Sequence, residues 1–202
     1  MLHLYEYEGC PFCRNVRQAL AAHTIDCIVF PCPRGGQRFR PQAIEVGGRQ
    51  QFPLLVDPEV GLVQYESRAI IDYLETRATH DHAPVASLGQ TVAGQLSDLS
   101  GFRGIGRHGR RPSAHLFELY FEESSLAAHQ VRMLLGTLEL AYIRRSPSVL
   151  AAQRDSLPDW VRRSAPDCID AARPNAPVLI DSNTQTARFG AGDIAAYLEQ
   201  HY

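Results

Sequence analysis

Gly9-Cys10-Pro11-Phe12-Cys13 follows a short alternating apolar run, Leu2-His3-Leu4-Tyr5-Glu6-Tyr7, and precedes Val16, Ala19 and Leu20 at helical spacing. A strand, a tight turn carrying C-x-x-C, then a helix is a redox active-site arrangement. Cys10 falls at the N-cap of that helix. Pro11 suits its first turn, where a missing N–H leaves no bond unmade. The free N–H groups and the positive end of the helix dipole then face the Cys10 sulfur. Such surroundings favour thiolate over thiol, so Cys10 is the expected nucleophile. Cys13 sits one turn on and can close a disulfide once Cys10 has attacked.

The 202 residues are 45% hydrophobic and 21% charged, with a net charge of −2, ordinary values for a globular protein of one large or two small domains. This near-neutral balance argues against a nucleic-acid partner. No apolar run reaches the roughly 18 to 20 residues of a membrane span. The opening residues carry no basic segment followed by an apolar core, so no secretory signal is read there. Five cysteines, an odd number, fit a reducing cytoplasm better than a disulfide framework.

The chain repeats itself. Slid by 115 positions, Leu4-Tyr5 falls on Leu119-Tyr120, Glu8 on Glu123, Val16-Arg17 on Val131-Arg132, Leu20 on Leu135 and Ile28 on Ile143. Slid by 124, Pro53 falls on Pro177, Leu55 on Leu179, Asp57 on Asp181, Ile70 on Ile194 and Tyr73-Leu74 on Tyr197-Leu198. Two ungapped blocks in the same order point to a duplication, with a longer middle loop in the later copy.

Each copy reads as β-α-β followed by β-β-α. In the first, a strand over 2–7 leads to a helix over about 11–23 and a strand over 25–30. Residues 31–51, rich in Pro, Gly, Gln and Arg, read as a loop or short irregular helix. Strands over 52–57 and 62–65 flank the turn Asp57-Pro58-Glu59-Val60-Gly61, and Ser67 is placed to cap a last helix. The expected fold is α/β, two tandem thioredoxin-like domains, each with a mixed four-stranded sheet. They are assigned to residues 1–78 and 117–202, the second expected to pack on the first. Residues 79–116 link them. Ser87 to Phe102 has amphipathic helical spacing, and the Gly- and Arg-rich stretch 101–112 reads as a flexible linker.

With these residues assembled, the first copy resembles the glutaredoxin-like N-terminal domain of glutathione S-transferases. Cys10-Pro11-Phe12-Cys13 after a strand, the strand-initial Pro53, and Tyr65-Glu66-Ser67 before the last helix carry the resemblance. The whole chain is similar to tandem proteins of that type, which lack the all-helical domain of full transferases. The resemblance implies glutathione as co-substrate. It implies that Pro53 is a cis-proline and that Phe52 offers backbone hydrogen bonds to the cysteinyl part. Glu66 and Ser67 would hold the γ-glutamyl end. Pro11 and Phe12 border the site, and Arg14, Arg38, Arg40 and Arg49 are candidates for the glycyl carboxylate.

The second copy departs at the chemistry. Cys10 falls on Ser125, Cys13 on Ala128, and Glu66-Ser67 on Gly190-Ala191. It reads as a structural or docking partner. Zinc on Cys10, Cys13, Cys27 and Cys32 is disfavoured because Cys27 sits within a strand pattern. An iron–sulfur cluster bridged by two Cys10 thiolates is a property of some glutaredoxin relatives. The expectation is no metal. Cys32, between Pro31 and Pro33, reads as an exposed loop thiol, either reactive or idle, and Cys168 as a lone thiol. Three functions follow: a glutathione-dependent thiol–disulfide oxidoreductase with Cys10 nucleophilic and Cys13 resolving, a transferase adding glutathione to an electrophile, or a non-catalytic glutathione-binding module.

Overall fold

The computed structural model describes residues 1–81, 114–164 and 176–202. The expected helix Ser87–Phe102, the Gly- and Arg-rich stretch and Cys168 lie outside the described residues. The first half runs β1 (Leu2–Glu6), α1 (Pro11–Ala22), β2 (Cys27–Pro31), α2 (Phe39–Gly47), β3 (Leu54–Asp57), β4 (Leu62–Tyr65) and α3 (Ser67–Asp81). The second runs β5 (Phe117–Tyr120), α4 (Leu126–Thr137), β6 (Tyr142–Arg145), α5 (Pro147–Ala152), α6 (Asp159–Ser164), β7 (Val178–Asp181), β8 (Thr186–Phe189) and α7 (Ala191–His201). Helix α3 thus continues past residue 78, where the first domain was expected to end.

Within each half the sheet is mixed, as the pattern implies. β1 pairs parallel with β2 (Leu4 opposite Val29) and antiparallel with β3 (Leu4 opposite Leu55). The second half repeats this register, with β5 parallel to β6 and antiparallel to β7, Leu119 opposite Leu179. The two four-stranded sheets are joined edge to edge. β2 and β6 pair antiparallel, and the strands form one eight-stranded sheet in the order β4-β3-β1-β2-β6-β5-β7-β8. Ile28 stands opposite Ile143 at the centre of that ladder. These two residues are equivalent in the repeat, so a pseudo-twofold axis passes between them. Pairing removes two open strand edges that would otherwise expose unmade backbone bonds.

Strand alternation divides the core into two layers. On one face Leu2, Leu4 and Val29 meet Val16 and Leu20 of α1 and Ile70 and Leu74 of α3. Their counterparts Phe117, Leu119, Val131, Leu135, Ile194 and Leu198 continue the same cluster. On the opposite face Tyr5, Cys32, Leu54 and Tyr65 pack under Phe39 and Ala43 of α2. In the second half Leu150, Leu157 and Val161, with Trp160 beside them, cover Tyr120, Val178 and Ile180. The enlarged loop of the second copy therefore replaces α2 as the cover of this face.

Within 31–51 the short-helix reading holds, as α2. Its buried apolar face is only Phe39 and Ala43, one turn apart, and Gly48 ends it in the left-handed region at φ 78°. Cys32 needs correction. Its N–H bonds Glu6 O at 2.6 Å, prolonging the β1–β2 ladder, and its side chain is fully buried.

Candidate active site

Cys10 occupies the N-cap of α1, with extended backbone at φ −92° and ψ 119° and Pro11 beginning the first turn. The Cys13 N–H points at Cys10 Sγ, 3.3 Å away. The Cys13 thiol also donates to that sulfur, and this contact does most to lower the Cys10 pKa. Burial opposes it. The Cys13 and Phe12 backbone N–H groups and the Tyr7 hydroxyl add to the lowering, and Cys10 settles at about 6. The Cys10 side chain is nearly buried, beside Phe12, which is 60% exposed. Burial pushes the Cys13 thiol well above its ordinary range, with Cys10 and Glu6 adding to the rise. One thiol is thus prepared as a nucleophile and its neighbour is held protonated.

The other cysteines are not prepared in this way. Burial raises Cys27 to about 12 and raises Cys32 strongly. Cys32 Sγ donates to Phe30 O at 3.4 Å, so the expected exposed loop thiol is a buried core residue. Among the described residues no group of three or more His, Cys, Asp or Glu side chains is placed to hold a metal ion.

The peptide bond Phe52–Pro53 is cis. The Phe52 ring meets Tyr7 edge-on at 6.1 Å, which sets the β3 entrance beside the β1–α1 turn. Ser67 is the first residue of α3, not its cap. The cap position belongs to Glu66, whose carbonyl accepts the Ile70 N–H at 3.0 Å. Glu66 has φ 65°, in the left-handed region, and its exposed carboxylate accepts from Gln51 Nε2 at 2.5 Å. The four arginines separate. Arg38 is committed to the second half, its N–H and guanidinium bonding Glu139 at 3.0 and 3.2 Å. Arg49 lies over Tyr65 at 4.2 Å, and Arg14 is half-buried on α1. Arg40 lies over Phe52 at 4.8 Å and Tyr7 at 5.7 Å, which places it beside the cysteine turn.

Sequence reading missed Tyr7, although it sits one tight turn before Cys10 and its carbonyl accepts the Cys10 N–H at 3.1 Å. It also missed a buried ionic cluster at the seam between the halves. Arg17 bonds Glu6 at 2.5 Å and Glu123 at 2.9 Å, while Arg132 and His129 hold Glu8 at 2.8 and 2.7 Å. Burial opposes ionisation of Glu8, but Arg132, Arg17 and His129 outweigh it and hold the carboxyl well below its ordinary range. Glu6 lacks such support. Burial outweighs Arg17 and lifts Glu6 to about 7. The repeat had already aligned Glu8 with Glu123 and Arg17 with Arg132. That alignment was the available signal.

The second half reproduces the turn without its chemistry. Ser125 caps α4 and accepts the Ala128 N–H at 3.3 Å, the distance found at Cys10. Gly190 occupies the position of Glu66 with φ 75°.

Residues 4–82 match the family model described as glutathione S-transferase, N-terminal domain. This part of the chain is similar to that domain. A delta-class glutathione transferase from Nilaparvata lugens is similar, at 33% identity over 39% of this chain and 36% of its own, with a TM-score of 0.34. The chain thus spans about a third of that transferase's length. No curated protein matches. The transferase-type domain contains the whole Cys10 turn, the cis Pro53 and the Glu66–Ser67 corner. No helix among the described residues is long and apolar enough to cross a membrane.

Proposed function

We propose that this chain is a glutathione-dependent thiol–disulfide oxidoreductase of glutaredoxin type. Residues 1–78 would act as the catalytic domain and 117–202 as a degenerate partner that shores up the seam. The observation that carries the reading is the contrast between Cys10 and its neighbour: an N-cap thiol lowered to about 6 and a buried thiol raised beside it. At neutral pH Cys10 is then mostly thiolate, the attacking form. It attacks the glutathione sulfur of a mixed disulfide. The S–S bond breaks, the substrate leaves as its thiolate, and Cys10 carries glutathione. A second glutathione thiolate then attacks that glutathione, releasing glutathione disulfide and restoring the Cys10 thiolate. In the other branch Cys13 loses its proton and attacks Cys10 Sγ, releasing reduced glutathione and closing a Cys10–Cys13 disulfide. Two further glutathione molecules reopen it.

Glutathione is placed, in this reading, with its cysteinyl backbone at Phe52 and Pro53, its γ-glutamyl end at Glu66 and Ser67, and its glycyl carboxylate at Arg40. The domain match supports a second reading, transfer of glutathione to an electrophile. Cys10→Ser decides between them. Loss of reductase activity toward a glutathione mixed disulfide supports the first. Full reductase activity in that variant would sink it. Conjugation of glutathione to an aryl halide by a wild-type protein without reductase activity would establish the second.

A further inference from the structure

Glu139 lies in the turn between α4 and β6 of the second half, and it is fully buried. Its carboxylate serves the first half. Oε2 accepts the Gln37 N–H at 3.1 Å and Oε1 the Arg38 N–H at 3.0 Å, the two residues that lead into α2. Its carbonyl accepts from the Arg38 guanidinium at 3.2 Å. Arg38, at the N-cap of α2, makes no side-chain bond to that helix itself. Gly36 is fitted to the same contact: a Cβ there would stand 2.6 Å from Glu139 Oε1 and 2.9 Å from Pro33 O. A buried carboxylate is costly unless its oxygens are bonded, and here both bond the entrance of α2.

The repeat shows that the turn does not require this side chain. Thr24 is the equivalent residue of the first half. Thr24 and Glu139 share the left-handed conformation, at φ 55° and 49°. They share its closing bond too, Thr24 N–H to Ala21 O at 3.1 Å and Glu139 N–H to Gly136 O at 3.2 Å. Thr24 is exposed. Both halves therefore have the turn, and a buried carboxylate crosses from only one of them.

Arg40 is the second residue of α2. Its Nε donates to Pro33 O, which also accepts the Gly36 N–H at 2.9 Å, and its guanidinium lies over Phe52 and Tyr7. Those two rings belong to the entrance of β3 and the end of β1, so a shift of the α2 entrance moves Arg40 relative to them. We infer that Glu139 is a positioning residue for glutathione: the half without cysteines fixes the entrance of α2 and, through it, the guanidinium of Arg40. The inference rests on the reading of Arg40 as the partner of the glycyl carboxylate.

Glu139→Gln keeps the shape but offers one acceptor oxygen to two N–H donors. In the full chain it is expected to raise the concentration of reduced glutathione that half-protects Cys10 from iodoacetamide about fivefold, as is fitting for one hydrogen bond. The KM for glutathione in reductase turnover is expected to rise alike, with kcat and the pH midpoint of Cys10 alkylation unmoved. In an Arg40→Ala background the same substitution is expected to change half-protection by less than about twofold, because the two residues act in series. Gly36→Ala presses on the same carboxylate and gives the same test should the glutamine variant not fold. Half-protection unchanged by Glu139→Gln, an equal loss with and without Arg40, or a loss accompanied by a shifted Cys10 midpoint overturns the inference and leaves the glutathione reading standing. A wild type that glutathione does not protect rejects that reading and the inference with it.

Discussion

Arg17 on α1 donates from Nε to Glu123 Oε1 at 2.9 Å, across the seam between the halves. The equivalent pair runs the other way, from Arg132 Nε to Glu8 Oε2 at 3.0 Å. This is the reciprocal pattern of a twofold interface, here written into one chain. All four side chains are less than 10% exposed. Removing one partner leaves a buried charge unmatched, which costs about 3–5 kcal/mol. Arg17→Met, which strips the partner from both Glu6 and Glu123, is expected to destabilise on that scale in urea unfolding, and Glu123→Leu by less, because Arg17 keeps Glu6. The double variant is expected to recover the Glu123 share of the Arg17→Met loss and not the Glu6 share. Single losses below about 1 kcal/mol would mean that water screens the seam.

The depressed pKa of Cys10 depends most on the Cys13 thiol. Alkylation by iodoacetamide, followed against pH, is expected to have its midpoint near 6 in wild type. Cys13→Ala removes the largest contribution but keeps the backbone N–H groups, and the midpoint is expected to rise by about one unit or more. Cys13→Ser keeps an O–H donor and is expected to lie between. A wild-type midpoint near the free-thiol value of about 8.5 would remove the basis for a nucleophilic Cys10.

The Cys10 turn, the order of the elements and the repeat were legible because each leaves a local mark: Pro11 after a cap, alternating apolar residues, and matched pairs at fixed offsets. The union of the sheets was not. Ile28 and Ile143 are ordinary strand residues, and nothing in their neighbourhood says that two copies join at β2 and β6. Cys32 read as exposed because prolines flank it, whereas the ladder continues through its N–H to Glu6. Arg38 could not be separated from Arg40 because its partner, Glu139, is distant in sequence and belongs to the other half.

Glu6 makes stability fall with rising pH over a defined window. Its folded-state pKa is about 7, against about 4.3 when unfolded. Between these values the folded protein holds a proton that the unfolded chain has released. The resulting stability is fully present below about pH 4 and lost as pH rises through 7, by up to about 1.4 kcal/mol per unit. Cys10 acts oppositely, adding stability from about pH 6 upward. Comparison of wild type with Glu6→Gln cancels the Cys10 contribution. From pH 5 to 7 the variant is expected to gain on wild type in urea midpoint. Parallel curves would show that Glu6 is already ionised at pH 5.

Glu66 and Gly190 hold the same position before the last helix of each half, at φ 65° and 75°. Glycine adopts that conformation freely, whereas a residue with a Cβ meets a cost of roughly 1–2 kcal/mol. The second half, without thiols, has glycine; the first keeps glutamate despite the cost. A side chain kept at such a position raises the hypothesis of a role for it, which the glutathione reading assigns to the γ-glutamyl end. Glu66→Gly is therefore expected to raise stability by about 1 kcal/mol. It is also expected to raise the glutathione concentration that half-protects Cys10 from alkylation about tenfold, the loss of one charge-assisted hydrogen bond. Ser67→Ala is expected to weaken protection without the gain in stability, because Ser67 already sits in the helix. Unchanged protection in Glu66→Gly would remove Glu66 from the glutathione site and leave its backbone conformation as a feature of the fold alone.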